Sequence, residues 1–188
     1  MPQYLGAVMI VLLMGTVLGR VLLLRRTGTR AMRFGKLDKT DFLIPPVALF
    51  YFYTLFAAAF GWPLADTHRF FRSTAVAWLG VALCLAGVLI LVLSLVSFGA
   101  SFRVGIDVDQ PGGLVTTGIF AVSRNPIYVG FFVFLLGQFL VFPTWTPLIA
   151  LAVAALLFHR QVLREEEFMR QRYAPEYVEY CSRVRRYL

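Results

Sequence analysis

Ser123-Arg124-Asn125-Pro126-Ile127-Tyr128-Val129-Gly130 opens a hydrophobic helix, and Glu165-Glu166-Glu167 closes another one. Between them the chain turns once, at Pro143-Thr144-Trp145-Thr146-Pro147. The two polar groups therefore return to the same side of a membrane hairpin. A polar constellation at the mouth of such a hairpin suits an enzyme with one water-soluble and one lipid-soluble substrate.

Working outward, the composition sets the class. The 188 residues are 59% hydrophobic and only 15% charged, and mean hydropathy is +0.74. In lipid only helices and closed barrels satisfy their own backbone groups. The apolar runs are long and continuous, without the alternation of a barrel strand. The expected fold is all-α and integral to the membrane, a single domain over residues 1–188. Residues 1–98 form a three-span scaffold, and residues 99–188 form a connection, a hairpin and a tail.

At about 20 apolar residues per crossing, five spans are expected. They run from Tyr4 to Leu24, Phe42 to Trp62, Thr74 to Phe98, Pro126 to near Phe142, and onward from Pro147. The first has no basic region before it and no small-residue cleavage site after it, so it reads as retained rather than as a signal peptide.

Basic residues orient the bundle. Arg25, Arg26, Arg30, Arg33, Lys36 and Lys39 crowd the first connection, Arg103 and Arg124 lie in the third, and six arginines follow the last span. The second connection holds only Arg69 and Arg72, and the hairpin turn holds none. With five spans the rich regions share one side. That side is expected to be cytosolic, with the N-terminus outside. The net charge of +8 then reports topology and attraction to anionic lipid headgroups. No separate basic domain suggests nucleic acid as a partner, and no grouping suggests a metal. Cys84 lies mid-span and Cys181 in the tail, so they are not expected to pair.

The third connection, Gly99 to Arg124, alternates apolar and polar residues from Phe102 to Asp109 before Pro111-Gly112-Gly113 breaks the pattern. An extended strip on the interface is expected. Long connections of this kind are often functional, and a plain connector remains the alternative.

Pro126 suits the first turn of a helix, and Asn125 suits its N-cap. Arg124 beside that positive helix end makes a place for a carboxylate or phosphate. From Leu148 to Tyr173 there is no Gly or Pro, which permits a helix of about 39 Å. Its apolar part ends at Phe158, so His159 and Arg160 are expected below headgroup level, facing protein or water. Snorkelling to the interface is the other reading. The Glu165-Glu166-Glu167 cluster reads either as a solvated face or as a source of ligand contacts. Tyr173, Tyr177 and Tyr180 recur as an aromatic stripe.

Taken together, Arg124-Asn125-Pro126-Ile127-Tyr128-Val129-Gly130, Glu165-Glu166 and Tyr173-Ala174-Pro175-Glu176-Tyr177-Val178-Glu179-Tyr180 resemble the C-terminal signature of the isoprenylcysteine carboxyl methyltransferases and related phospholipid methyltransferases. That signature reads R-H-P-x-Y-x-G, then E-E, then F-G-x-x-Y-x-x-Y, then V-P-R. Ser101-Phe102-Arg103-Val104-Gly105 resembles the same connection in bacterial members. The resemblance covers about half of the chain, from Ser97 onward. It departs at Asn125 in place of His, at Tyr173-Ala174 in place of F-G, and at Val184-Arg185-Arg186 in place of V-P-R.

The resemblance implies S-adenosylmethionine as methyl donor in a cytosol-facing pocket. Arg124, Asn125, Pro126, Tyr128, Gly130, Glu165 and Glu166 would hold it. The acceptor, a lipophilic small molecule or a prenylated substrate, would come laterally from the bilayer, in a bacterial inner (plasma) membrane. Arg103 and Arg160 are the candidates to contact that acceptor. Arg160 is expected to orient it, and His159 is the only group with a suitable unperturbed pKa to act as a base. Two other readings stand beside this one. Phospholipid N-methylation uses the same donor. An NADPH-dependent membrane sterol reductase shares the C-terminal architecture, but is larger. A non-catalytic membrane adaptor would have no reason to assemble these polar groups.

Overall fold

The computed structural model describes residues 1–26, 44–63, 68–98 and 113–188. Six α-helices follow in order among them: α1 (Pro2–Arg26), α2 (Ile44–Phe60), α3 (Thr74–Phe98), α4 (Pro126–Val141), α5 (Trp145–Tyr173) and α6 (Glu176–Arg183). A 3-10 turn at Gly118–Ala121 precedes α4. The described residues contain no strand, only an isolated bridge between Ser123 and Arg185. The expected strip from Phe102 to Asp109, and Arg103 within it, lie outside the described residues.

By length and composition α1, α3 and α5 can each cross a bilayer. The apolar parts of α2 (Pro46–Phe60) and α4 (Pro126–Val141) are shorter. Leu89, Leu93, Val96, Leu156 and Val47 lie exposed on the outside of the bundle. Apolar surface on that scale marks contact with lipid, as an integral membrane protein requires.

The centre of the bundle is the antiparallel pair α3–α4, and glycines set its spacing. A Cβ added at Gly80 would lie 2.7 Å from the Gly137 carbonyl, and one added at Gly87 would lie 2.7 Å from the Gly130 carbonyl. The two Gly pairs are seven residues apart on each helix, so the backbones touch twice along one seam. Lipid gives apolar side chains no reason to prefer each other, so close backbone packing through small residues is what drives such pairing.

Helix α1 is held to this pair at its own glycine. A Cβ at Gly6 would lie 2.8 Å from Val141 Cγ1, and the buried Gln138 Nε2 donates to the Gly6 carbonyl at 3.0 Å. Helix α5 lies at the edge, with only 11% of its most apolar window buried. Pro126 is in the first turn of α4 as expected. Asn125 stands at its N-cap position but makes no capping bond with its side chain. Its Nδ2 instead donates to Glu166 Oε1 and to the Arg186 carbonyl.

Candidate functional site: the polar mouth of the hairpin

The start of α4, the second half of α5, the end of α3 and helix α6 enclose one open cavity. Its cavity volume is about 100 Å³, and its mouth is open. Arg124, Asn125, Pro126, Tyr128, Glu165 and Glu166 all line it.

Glu166 is the hub. Its side chain is 5% exposed. Oε1 accepts from Asn125 Nδ2 at 3.3 Å and lies 3.7 Å from Arg124 Nη2. Oε2 accepts from Arg186 Nε at 3.1 Å and from Arg186 Nη2 at 2.9 Å. A buried carboxylate is tolerable only when paired and hydrogen-bonded, and here cationic groups flank both oxygens.

Asn125 is fixed on three sides. Its N–H donates to Ser123 Oγ at 3.2 Å, and its amide Nδ2 donates to the Arg186 carbonyl at 3.2 Å as well as to Glu166. Arg124 donates from Nη1 to Cys181 Sγ. Its backbone N–H donates to the Arg185 carbonyl at 3.0 Å. Its Nε is buried and has no hydrogen-bond partner among the described residues. The guanidinium as a whole lines the cavity beside Asn125 and Tyr128.

The second wall belongs to Tyr128 and Glu165. Tyr128 Oη donates to Glu165 Oε1 at 2.7 Å, and Gln161 Nε2 donates to the same oxygen at 2.9 Å. Tyr128 packs against Phe158, ring centroids 5.5 Å apart, which ties α4 to α5. Phe98, Phe120, Met169, Tyr177 and Tyr180 complete the apolar lining.

Three of the expected site residues stand elsewhere. Gly130 is buried in the α3–α4 seam, where an added Cβ would lie 2.9 Å from Leu91 Cγ; it sets helix spacing and does not line the cavity. His159 is on the exposed face of α5, its Nδ1 2.8 Å from Tyr187 Oη. Arg160 is also exposed. Arg160, expected to orient the acceptor, does not line the cavity, because the helical phase that turns Glu166 inward turns residue 160 outward.

Other residues came from outside the expectation. Arg186 sits on the far side of α6. Tyr177 and Tyr180 are each 4% exposed, and Tyr180 Oη donates to the Phe120 carbonyl at 2.6 Å. The tyrosine stripe thus packs on the bundle and lines the cavity at once. Met169 falls on the same α5 face as Glu165 and Glu166 by its three- and four-residue spacing. Cys84 and Cys181 are both free thiols. Among the described residues no group of three His, Cys, Asp or Glu side chains could hold a metal ion.

This arrangement, a cavity rimmed by Arg124, Asn125 and a Glu pair at the mouth of an apolar helical hairpin, has relatives. Residues 75–176 match the phospholipid methyltransferase family. The chain belongs to that family. The matched stretch starts in α3 and ends at the start of α6, so it carries most of the cavity.

Individual relatives carry a more particular name. A rice protein (Oryza sativa subsp. indica), "Probable protein-S-isoprenylcysteine O-methyltransferase", is 30% identical over 114 residues, 58% of this chain and 59% of that protein. Protein-S-isoprenylcysteine O-methyltransferase A of Arabidopsis thaliana is 29% identical over 108 residues, 56% of this chain and 55% of that protein. The Saccharomyces cerevisiae protein-S-isoprenylcysteine O-methyltransferase is 33% identical over 72 residues, 38% of this chain and 30% of that protein. The matched stretch spans at most 59% of the length of these three relatives.

Proposed function

We propose that the protein is an integral membrane methyltransferase that moves a methyl group from S-adenosylmethionine to a lipophilic acceptor. The observation that carries the reading is the meeting of Arg124, Asn125, Tyr128 and Glu165 on one cavity, in a chain of the phospholipid methyltransferase family. The donor set fits the group. Arg124 and the N-terminus of α4 suit its carboxylate. Tyr128, with the aromatic lining around it, suits a sulfonium. Glu165, whose Oε1 accepts from Tyr128 and Gln161, lines the cavity and suits ribose hydroxyls. Glu166 has both oxygens engaged within the protein, so its part is to hold the wall rather than to bind.

When bound, the donor supplies an electrophilic methyl carbon, whose bond to sulfur breaks as the acceptor's lone pair attacks and whose electron pair stays on the sulfur. The protein's contribution is alignment and exclusion of water. None of the cavity's described residues is a histidine, and His159 is outside it. A carboxylate acceptor needs no base. An isoprenylcysteine-like carboxylate therefore fits better than a phospholipid amine, and in that sense the chain works like its O-methyltransferase relatives.

We read α2 and α4 as two further crossings, five in all, with the N-terminus outside and the cavity and tail in the cytosol. Helix α4 has 16 residues, about 24 Å at 1.5 Å each, against a hydrocarbon core of roughly 30 Å. Its polar start then lies below the headgroups, where a bilayer-borne acceptor and a cytosolic donor can meet. Residues 1–98 serve as the scaffold.

The test is incubation of purified protein with methyl-labelled S-adenosylmethionine and either a prenylcysteine or phosphatidylethanolamine. Label in the prenylcysteine that base releases as methanol identifies a methyl ester and supports the reading. Base-stable label in the phospholipid amine would overturn the acceptor assignment, and no label in either would overturn the acceptor class. Binding of NADPH in place of the sulfonium would support a reductase.

A further inference from the structure

The segment Val184 to Tyr187 runs as a strap beside the residues that precede α4. Ser123 bridges to Arg185, and the Arg124 N–H donates to the Arg185 carbonyl at 3.0 Å. The Arg186 carbonyl takes Asn125 Nδ2 at 3.2 Å and Ser123 Oγ at 3.5 Å. The Arg186 side chain then turns to Glu166 and gives both of its bonds to Oε2. Oε1 is left for Asn125. Arg124 Nη2, at 3.7 Å, is beyond hydrogen-bond range of that oxygen.

Those distances describe a division of labour. Glu166 is buried and needs a cation. Arg186, 34% exposed on its side chain, is that cation and approaches from the solvent side. Arg124 is 11% exposed and is thereby spared from acting as the main counter-ion. Without Arg186, the carboxylate would have only Arg124 to neutralise it. A shift of under an ångström would turn the 3.7 Å approach into a charge-assisted hydrogen bond. The guanidinium would then belong to Glu166 and no longer to a ligand.

We propose that Arg186 is a positioning residue of the methyl-donor site, which keeps Arg124 available to the donor's carboxylate by satisfying Glu166 from the other side. The proposal rests on the donor reading above. It concerns a residue that touches no ligand, and it is distinct from a plain staple of the tail. A staple would change stability and leave affinity alone.

The experiment is calorimetric titration of S-adenosylhomocysteine into detergent-purified full-length protein, well below the unfolding temperature of every variant. Wild type is measured first. Failure of wild type to bind overturns the donor reading and this proposal with it. If wild type binds, Arg186→Ala should weaken affinity by about tenfold or more, which is about 1.4 kcal/mol. Arg186→Lys, which restores the charge, should recover most of that loss. The double variant Arg186→Ala/Glu166→Gln should recover part of it, because the neutral amide no longer competes for Arg124. Wild-type affinity in Arg186→Ala would overturn the proposal. So would additive losses in Arg186→Ala/Arg124→Ala, since a residue acting through Arg124 has nothing left to act on once Arg124 is gone.

Discussion

Arg186 Nε and Nη2 converge on the single oxygen Oε2 of Glu166, at 3.1 Å and 2.9 Å. That leaves Oε1 to face Asn125 and Arg124 across the cavity rim. One buried carboxylate thus joins the start of α4, the second half of α5 and the strap after α6. Among the described residues the site is a closed charge cluster in which Arg124 Nε is buried without a hydrogen-bond partner.

Removing the hub should be severe. Glu166→Ala leaves two arginines and an amide without their shared acceptor. Breaking a buried pair in this way costs about 3–5 kcal/mol. The denaturation midpoint of the purified variant should fall clearly below that of an exposed control such as Glu179→Ala, whose pair with Arg183 is 3.4 Å long but solvated on both sides. Equal midpoints would contradict the hub.

The seam predicts opposite signs for two glycine substitutions. At Gly87 an added Cβ meets the Gly130 carbonyl at 2.7 Å and Phe134 N at 2.8 Å, both backbone atoms that cannot step aside. Gly87→Ala should destabilise by about 1–3 kcal/mol, as overpacking does. At Gly15 nothing lies within 4 Å, so Gly15→Ala should be neutral or stabilising by up to about 1 kcal/mol. Thermal unfolding in one detergent compares them directly, and a tolerated Gly87→Ala would refute the backbone contact.

Tyr180 should matter at high pH. Burial pushes its hydroxyl up from an ordinary 10.0 to about 12. The folded state therefore favours the neutral phenol, which donates to the Phe120 carbonyl. This stabilisation is complete below pH 10 and is lost as pH rises through about 12. Tyr180→Phe should lose about 1 kcal/mol at neutral pH and show a weaker fall in stability between those two pH values. An unchanged alkaline profile would show that the hydroxyl is not held as described.

Topology can be read by labelling. Thr144 in the hairpin turn is 3% exposed and a poor probe, whereas Arg69 and Ser182 are exposed. In a background without Cys84 and Cys181, Arg69→Cys and Ser182→Cys should react with impermeant maleimide from opposite faces of sealed vesicles. Reaction of both from one face would refute the five-span orientation.

Some of this was legible in the chain itself. The bounds Thr74 to Phe98 of α3 follow from an unbroken apolar run, and Pro126 sets the start of α4 through its missing N–H. The run Arg124 to Tyr128 and the pair Glu165-Glu166 meet because a short turn folds α5 back along α4. Long-range partners were not legible. Asn125 looks like a cap until the tail supplies the Arg186 carbonyl, and nothing local pairs Arg186 with a glutamate twenty positions earlier. Arg160 was placed by depth, but depth does not give helical phase. The seam did leave a signal: Gly80 and Gly87, and Gly130 and Gly137, share a seven-residue spacing that marks one face on each helix.

The measurement that tests the central claim most directly is S-adenosylhomocysteine titrated into wild type and into Arg124→Ala, with NADPH as competitor. The account predicts saturable one-site binding in wild type that NADPH does not displace. It predicts a loss in Arg124→Ala of about 1.5–3 kcal/mol, the range for a hydrogen bond to a charged group. No binding in wild type, or an unchanged affinity in Arg124→Ala, would contradict it.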